Sequence, residues 1–396
     1  FQVHLLNTFF EHQGLVKHPQ ESFGNCLDRQ LSEMVRQYNP VKVFHEYDEE
    51  NNNYKKEIHV SFDNIYMGKP IIHENNGSSK IMTPHEAKLR NFTYSSPLFV
   101  DIIITFLNKK GNKLQVIEKK EKRLNKIIIG KIPIMVRSKY CVLSDEKNNL
   151  NQFGECFCDY GGYFIINGSE KVLISQERQA ENKPYVFINR QTHKFSHIVE
   201  VKSTPSHKLI PSKSLSVKLT SKNGEFGRSF KVSLPHVRNE IPLIILFRLL
   251  KIESDKDIIK YILDDDFENK DYLLILKPSI EEASDCFSQA KAYEYLLKSL
   301  IMMGNPKEIK MDNDSKINYI KGYIKDDILP HLGNSNHKKA LFLGEMVKKL
   351  MDLYLERIPQ DDRDSYINKR IDTPGILMAN IFRQYFTKMI KDMRNS

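Results

Sequence analysis

The chain has 396 residues, 40% of them hydrophobic, and 60 Lys and Arg against 50 Asp and Glu, a formal charge of +10. That composition excludes a disordered tail, and the length suits two or three domains of about 150 residues, each able to bury a core by packing alone. The longest apolar runs, Ile241 to Leu250 and Ile102 to Leu107, fall far short of the ~20 residues that cross a bilayer, so no membrane partner is expected.

The first forty residues place Leu5, Thr8 and Phe9, then Leu27, Leu31 and Val35, at helical spacing, which predicts two opening helices. From Tyr54 to Ile72 and from Thr93 to Gly130 the pattern turns β-branched and alternating, punctuated by Asn76-Gly77 and Gly111-Asn112; this stretch is expected to be β-rich. Tyr163 to Ile166 and Val172 to Ile174 flank Asn167-Gly168-Ser169-Glu170-Lys171, where Asn-Gly supplies the two positive-φ residues of a tight hairpin. A second hairpin is expected between Ser216–Leu219 and Phe230–Ser233, around Asn223-Gly224, and the polar segment Gln179 to Lys213 reads as a change of domain.

After Pro235 the period becomes helical, beginning with a helix from Ile241 to Ile252 that has Pro242 near its first turn. Ile317, Ile320, Ile324 and Ile328, and then Ala340, Leu343, Val347, Leu350 and Tyr354, form stripes expected to face the core. A last helix follows Pro374-Gly375, with Met378, Phe382, Tyr385 and Met389 on one face. Its other face carries Arg383, Lys388, Lys391 and Arg394, which reads either as plain solvation or as a nucleic-acid or partner contact.

No phosphate-binding glycine loop, metalloprotease helix or nucleophile elbow occurs, so no self-contained active site is expected. The five cysteines, Cys26, Cys141, Cys156, Cys158 and Cys286, are odd in number and scattered, which fits a reducing compartment. Cys156 and Cys158 lack the second ligand pair of a zinc site and read as buried or half-exposed thiols. Nine basic residues against Glu118 and Glu121 lie between Lys109 and Lys131. Such a stripe neutralises phosphates or blocks edge pairing of an exposed strand. The runs Tyr47 to Glu50 and Asp264 to Asp266 read as solvated acidic loops. Two polar clusters, Arg137-Ser138-Lys139-Tyr140 and Asp362 to Asp372, sit beside β or turn signals, and for the second a surface salt-bridge network is one sufficient account.

Five ordered motifs carry a resemblance that runs end to end. They are Glu11 to His18 with Ser22-Phe23, Pro84 to Asn91 with Thr93-Tyr94-Ser95, Ile132 to Cys141, Gly161 to Ile174, and Asp362 to Arg370. With them the chain resembles the amino-terminal third of the second-largest subunit of multisubunit DNA-directed RNA polymerases, in the eukaryotic, archaeal and large-DNA-virus form. It starts at Phe1 without a secretory layout and is read as a fragment of something longer.

The resemblance implies an α+β chain: a β-rich protrusion domain with helices over residues 1–178, a mixed, mostly helical lobe inserted at 179–365, and a return into the protrusion through 366–396. It implies a place on one side of the cleft that holds DNA and the RNA–DNA hybrid. Partners would be the largest subunit, the other polymerase subunits, and template and non-template DNA. Lys171 matches a basic residue that faces the hybrid backbone, a non-specific phosphate contact. Asp364 and Lys369 match positions that border the non-template strand in bacterial relatives, and Arg137, Lys139 and Arg370 complete the candidate nucleic-acid-binding set. No catalytic or metal-binding residue is expected here: the complete enzyme would use Mg2+ held mainly by the largest subunit, with a structural Zn2+ beyond Ser396. The family's Asp-Pro-Gly-Gly reads Asp159-Tyr160-Gly161-Gly162 here, and Cys158 stands where an apolar residue is common, so a less rigid approach to the hairpin is expected. A nuclear location is expected, or a viral factory or virion in host cytoplasm. The competing readings are a stand-alone nucleic-acid-binding module without polymerase activity and a structural domain that docks protein factors.

Overall fold

A computed structural model describes residues 2–48, 53–110, 115–144, 153–156, 158–189, 193–205, 210–222, 224–264, 269–300 and 313–395. In chain order the elements are α1 (Gln2–Gln13), α2 (Lys17–Asn25), a π-turn (Cys26–Gln30), α3 (Leu31–Gln37), β1 (Val41–Asp48), β2 (Asn53–Met67), β3 (Ile71–His73), β4 (Ser79–Ile81), α4 (Pro84–Leu89), β5 (Ser95–Lys110), β6 (Gln115–Pro133), β7 (Phe164–Ile166), β8 (Ser169–Lys171) and β9 (Gln176–Gln179). There follow β10 (Tyr185–Ile188), β11 (Phe195–Ser203), β12 (Lys213–Thr220), β13 (Phe230–Ser233), β14 (Ile241–Pro242), α5 (Leu243–Leu249), α6 (Asp255–Leu263), α7 (Lys270–Glu282), α8 (Gln289–Ser299), α9 (Asn313–Asp326), α10 (Asn336–Tyr354), β15 (Lys369–Asp372) and α11 (Pro374–Asn395). The fold is α+β, with antiparallel sheets first and a mostly helical carboxy-terminal part.

The chain forms two compact units, one from residues 1–178 and 371–396 and the other from 179–370. The first unit is built on the antiparallel sheet β1-β2-β5-β6. Alternation along β5 buries Ser96, Leu98 and Val100 on one face. Val35, Val41, Val60, Phe62 and Val100 close over Phe386 and Ile390 of α11, so this core joins the two ends of the sequence. A second core of Ile72, Met82, Ala87, Tyr94, Ile134, Val136, Cys141, Leu143 and Ile165 supports α4 and the β7-β8 hairpin. Where the two segments of the unit meet, Arg178 Nε donates to Asp372 Oδ1 at 2.6 Å.

The second unit carries the sheet β10-β11-β12-β13-β14, with α5 to α10 around one large core. Every residue of α5 is buried, including Arg248, whose Nη1 donates to the carbonyls of Ala283 (2.7 Å) and Cys286 (2.5 Å) and whose Nη2 pairs with Asp255 (2.7 Å). Lys339 of α10 is also fully buried, and its Nζ donates to the carbonyls of Ile324 (2.7 Å) and Lys325 (3.0 Å) in the last turn of α9. It supplies donors to groups that a helix end leaves orphaned.

Several sequence expectations are corrected. The expected opening helices are present, α1 and then α2 running through the π-turn into α3; Leu27, Leu31 and Val35 are buried, but Leu5 and Phe9 of α1 are more than half exposed. The β7-β8 hairpin pairs Phe164–Ile166 with Ser169–Lys171, not with Val172 to Ile174, because the two-residue turn lets pairing resume at Ser169. The polar stretch Gln179 to Lys213, read as a change of domain, opens the second compact unit and holds the unexpected strands β10 and β11. Its strands went unread because β11 alternates apolar residues with Ser, His, Glu and Lys on a partly solvated face. β12 and β13 do pair, across a longer connection than a tight turn, of which Asn223 lies outside the described residues. The helix after Ile241 is shorter than expected, Leu243–Leu249, with Pro242 at its N-cap. In α11, Phe382 and Met389 of the expected face pack partly buried against the core, but the buried positions are Pro374, Gly375, Ala379, Phe386 and Ile390, and Tyr385 is 70% exposed. The stripes on α9 and α10 largely hold: Ile320, Ile324, Ala340, Leu343, Val347 and Leu350 are buried, as is Ile328 just past α9, while Ile317 and Tyr354 at their ends are half-buried.

Candidate nucleic-acid interface

The β7-β8 hairpin is fixed from below. Asn167 (φ 50°) and Gly168 (φ 77°) both adopt the left-handed conformation that the turn requires. The amide of Gly168 donates to the carbonyl of Phe92 (2.9 Å), that of Asn167 to Thr93 Oγ1 (3.1 Å), and that of Tyr94 to the carbonyl of Ile165 (2.9 Å). A Cβ at Gly168 would lie 2.5 Å from Asn91 Oδ1 and 2.8 Å from its Cα. The turn therefore sits directly on the segment after α4, and only glycine permits the approach.

Lys171, at the end of β8, is exposed and has no hydrogen-bond or ion-pair partner among the described side chains. Its neighbour Glu170 is engaged, with Oε1 2.9 Å from Lys88 Nζ of α4. Lys88 also donates to Tyr163 Oη (3.1 Å) and lies 3.6 Å from Glu155 Oε2. Tyr163 in turn donates to Asp159 Oδ2 (2.5 Å), and Asp159 Oδ1 accepts from the Gly161 amide (2.8 Å). Burial alone would lower the pKa of Lys88, but the bonds to Glu170 and Tyr163 outweigh it and hold the ammonium charged.

Arg137 and Lys139 follow the fully buried Ile134-Met135-Val136. Arg137 takes a left-handed φ of 59° and donates from Nη2 to the carbonyl of Cys156 (3.2 Å). A Cβ at Gly161 would lie 2.4 Å from the Val136 carbonyl oxygen, so glycine is needed beside this turn although Tyr160 replaces the family's proline. Lys139 is committed to Asp28 (2.9 Å), which also accepts from Tyr140 Oη. Burial pushes the Asp28 carboxyl up, and the Tyr140 and Lys139 bonds more than reverse that, leaving its pKa below the ordinary value. Lys139 is thus a neutralised cation rather than a free one.

The remaining candidates belong to the second unit. Asp364 is highly exposed, its amide donating to Asp362 Oδ1 (2.8 Å). Lys369 Nζ lies 3.8 Å from Asp364 and 5.9 Å from the Tyr366 ring centroid. Arg370 Nη1 donates to the carbonyls of Ile367 (3.2 Å) and Lys369 (2.7 Å). Asn368 bonds Lys183 and the Asp362 carbonyl, and Arg363 stacks on Phe187 at 3.9 Å. This is a salt-bridge and carbonyl-clip network with Tyr366 and Ile367 more than three-quarters exposed at its surface, a feature that the alternating charges did not signal.

In β6, which among the described residues pairs with β5 alone at the edge of its sheet, Lys119, Lys120, Lys122, Arg123, Lys126 and Lys131 are exposed; Lys113 lies outside the described residues. Cys156 and Cys158 are exposed, whereas Cys26, Cys141 and Cys286 are buried, and burial pushes the Cys26 thiol up to about 12. Of the acidic loops, Glu49, Glu50, Asp265 and Asp266 lie outside the described residues. Among the described residues no group of three or more His, Cys, Asp or Glu is placed to hold a metal ion, and no helix is long and apolar enough to cross a membrane. Sequence reasoning missed Lys88 and Glu170 as partners: they are 82 positions apart, and nothing in their spacing joins them.

A hairpin whose Lys171 has no partner among the described residues, engaged cations and a lysine-rich edge strand together give an α+β scaffold with cationic surfaces. A family model described as RNA polymerase beta subunit matches residues 14–396, and the chain belongs to that family. It is 37% identical over 407 residues to DNA-directed RNA polymerase II subunit 2 of Arabidopsis thaliana, covering 99% of this chain and 33% of that protein. It is 36% identical over 393 residues to DNA-directed RNA polymerase II subunit RPB2 of Encephalitozoon cuniculi, covering 98% and 33%. It is 30% identical over 396 residues to DNA-directed RNA polymerase subunit Rpo2 of Saccharolobus shibatae, covering 98% and 31%. The chain thus spans about a third of the length of the curated relatives it matches.

Proposed function

We propose that this chain serves DNA-templated RNA synthesis as the protrusion and lobe of a polymerase second subunit, forming one side of the cleft that holds DNA and the RNA–DNA hybrid. The observation that carries the reading is the match over 98–99% of the chain to subunits of this kind from a plant, a microsporidian and an archaeon. Lys171 contacts the hybrid backbone; its exposure and its lack of a partner among the described residues suit a phosphate contact that carries no sequence information. Arg137, Lys139, Lys369 and Arg370, all internally engaged, set the local charge and loop shape, and Asp364 borders the non-template strand. The partners are the largest subunit, the remaining polymerase subunits and nucleic acid. The location is the nucleus in a cellular source, or a viral factory or virion in host cytoplasm.

In the complete enzyme, Mg2+ would support attack of a primer 3′-OH on the α-phosphate of a nucleotide. The described residues do not fit such a site, so no chemical step is assigned to this chain. Its part is to bind and orient nucleic acid. Affinity purification of the tagged parent protein is expected to recover a largest subunit together with template-dependent ribonucleotide incorporation. A protein that comes down alone, binding nucleic acid with strong salt dependence, would instead favour the stand-alone module.

A further inference from the structure

We infer that Lys88 is a positioning residue for the Lys171 phosphate contact, drawing Glu170 to the α4 side of the hairpin and neutralising it so that β8 presents a net cation. The inference rests on the proposed contact between Lys171 and the nucleic-acid backbone. Successive side chains of a strand point to opposite faces, so Glu170 and Lys171 diverge, and the structure shows what holds the first. Lys88 Nζ lies 2.9 Å from Glu170, 3.1 Å from Tyr163 and 3.6 Å from Glu155.

Lys88 is itself well placed to hold that arrangement. Its α4 helix is capped by Thr83, whose Oγ1 accepts from the Glu86 amide (3.3 Å), and Ala87 beside it is fully buried. Its own carbonyl oxygen would be 3.1 Å from a Cβ on Gly168, so the turn rests on the same residue whose side chain holds the strand. Glu155 is buried, with Oε1 unpartnered, and this inner carboxylate keeps the ammonium drawn away from solvent. Removing the ammonium would leave Glu170 as an uncompensated carboxylate next to Lys171, and the local charge presented to a phosphate would fall by one.

The test uses the assembled full-length polymerase and reads the lifetime of elongation complexes over a range of salt. Lys171→Ala is expected to shorten that lifetime about tenfold, the scale of one charge-assisted hydrogen bond. It should also lower the slope of log lifetime against log salt by about 0.7–0.9, the share of one phosphate. Lys88→Met should give the same fall in slope and at least a threefold shorter lifetime. Lys88→Arg should stay within twofold of the parent, and adding Glu170→Gln to Lys88→Met should restore the lifetime to within twofold, a rescue that a merely structural role would not produce. If Lys88→Met prevents assembly, Lys88→Gln removes the charge while keeping a donor and carries the same expectations. A parental slope in Lys88→Met and Lys88→Gln while Lys171→Ala shows its loss, or a failure of Glu170→Gln to restore the lifetime, would overturn the inference. A parental Lys171→Ala would overturn the hybrid contact itself, and the inference with it.

Discussion

Replacing Lys339 by Met isolates the energetics of a buried cation. Burial pushes its pKa from the ordinary 10.5 down to about 8, against the opposing pull of Asp326. That gap corresponds to about 3 kcal/mol of stability withheld at neutral pH. Below pH 8 the amine is protonated in both the folded and unfolded chain, and the full penalty is present. Between pH 8 and 10.5 the unfolded chain holds the proton and the folded one does not, so stability rises with pH; above 10.5 the penalty is gone. At pH 7, Lys339→Met removes the penalty but strips the Ile324 and Lys325 carbonyls of their donor, at about 1–3 kcal/mol for each orphaned group. The two chains are therefore expected to differ by less than about 2 kcal/mol there. Urea unfolding of both chains, followed by circular dichroism at pH 7, 8, 9 and 10, separates the terms, since the other titrating groups are shared and cancel in the difference. The parent should gain roughly 2–3 kcal/mol on the variant between pH 7 and 10. A difference that stays flat or falls would refute a depressed Lys339.

Two helix glycines should respond to alanine with opposite signs. At Gly344 a Cβ would lie 2.0 Å from the Tyr261 carbonyl oxygen of α6, so overpacking of about 1–3 kcal/mol or more should outweigh the helix-propensity gain, whereas Gly322 of α9 has nothing within 4 Å and should gain about 1 kcal/mol, both read by urea midpoints. Gly168→Ala should loosen the β7-β8 hairpin through its positive φ and the Asn91 clash, seen as faster hydrogen exchange at Phe164 to Lys171 with the second unit unchanged.

The hairpin turn was legible because Asn-Gly is a local signal with a steric cause; the extent of its second strand was not, since nothing in Ser169-Glu170-Lys171 marks a strand until Phe164 pairs with Lys171. The stripes on α9 and α10 were legible because each helix buries one broad face of a single core. On α11 the buried line moved to Ala379, Phe386 and Ile390, because the surface it meets, with Tyr38 and Phe62 against Phe386, sets the rotation of the helix. The motifs named the candidate residues but not which of them the fold engages. Lys139 is silenced by Asp28, 111 positions away, and Lys88 by residues 67 to 82 positions on. Such pairings exist only once the fold brings the partners together.

The first unit closes its core with Phe386 and Ile390, from a helix made after all of residues 179–370. At about 5–20 residues per second, the ribosome needs roughly 10–40 s to span that interval. During it the second unit, contiguous in sequence, is free to fold, while Val35, Val41, Phe62 and Val100 of the first wait without the aromatic ring that covers them. The unit that presents Lys171 is thus begun first and completed last, and its nascent sheet is the stage at which a chaperone would have most to hold.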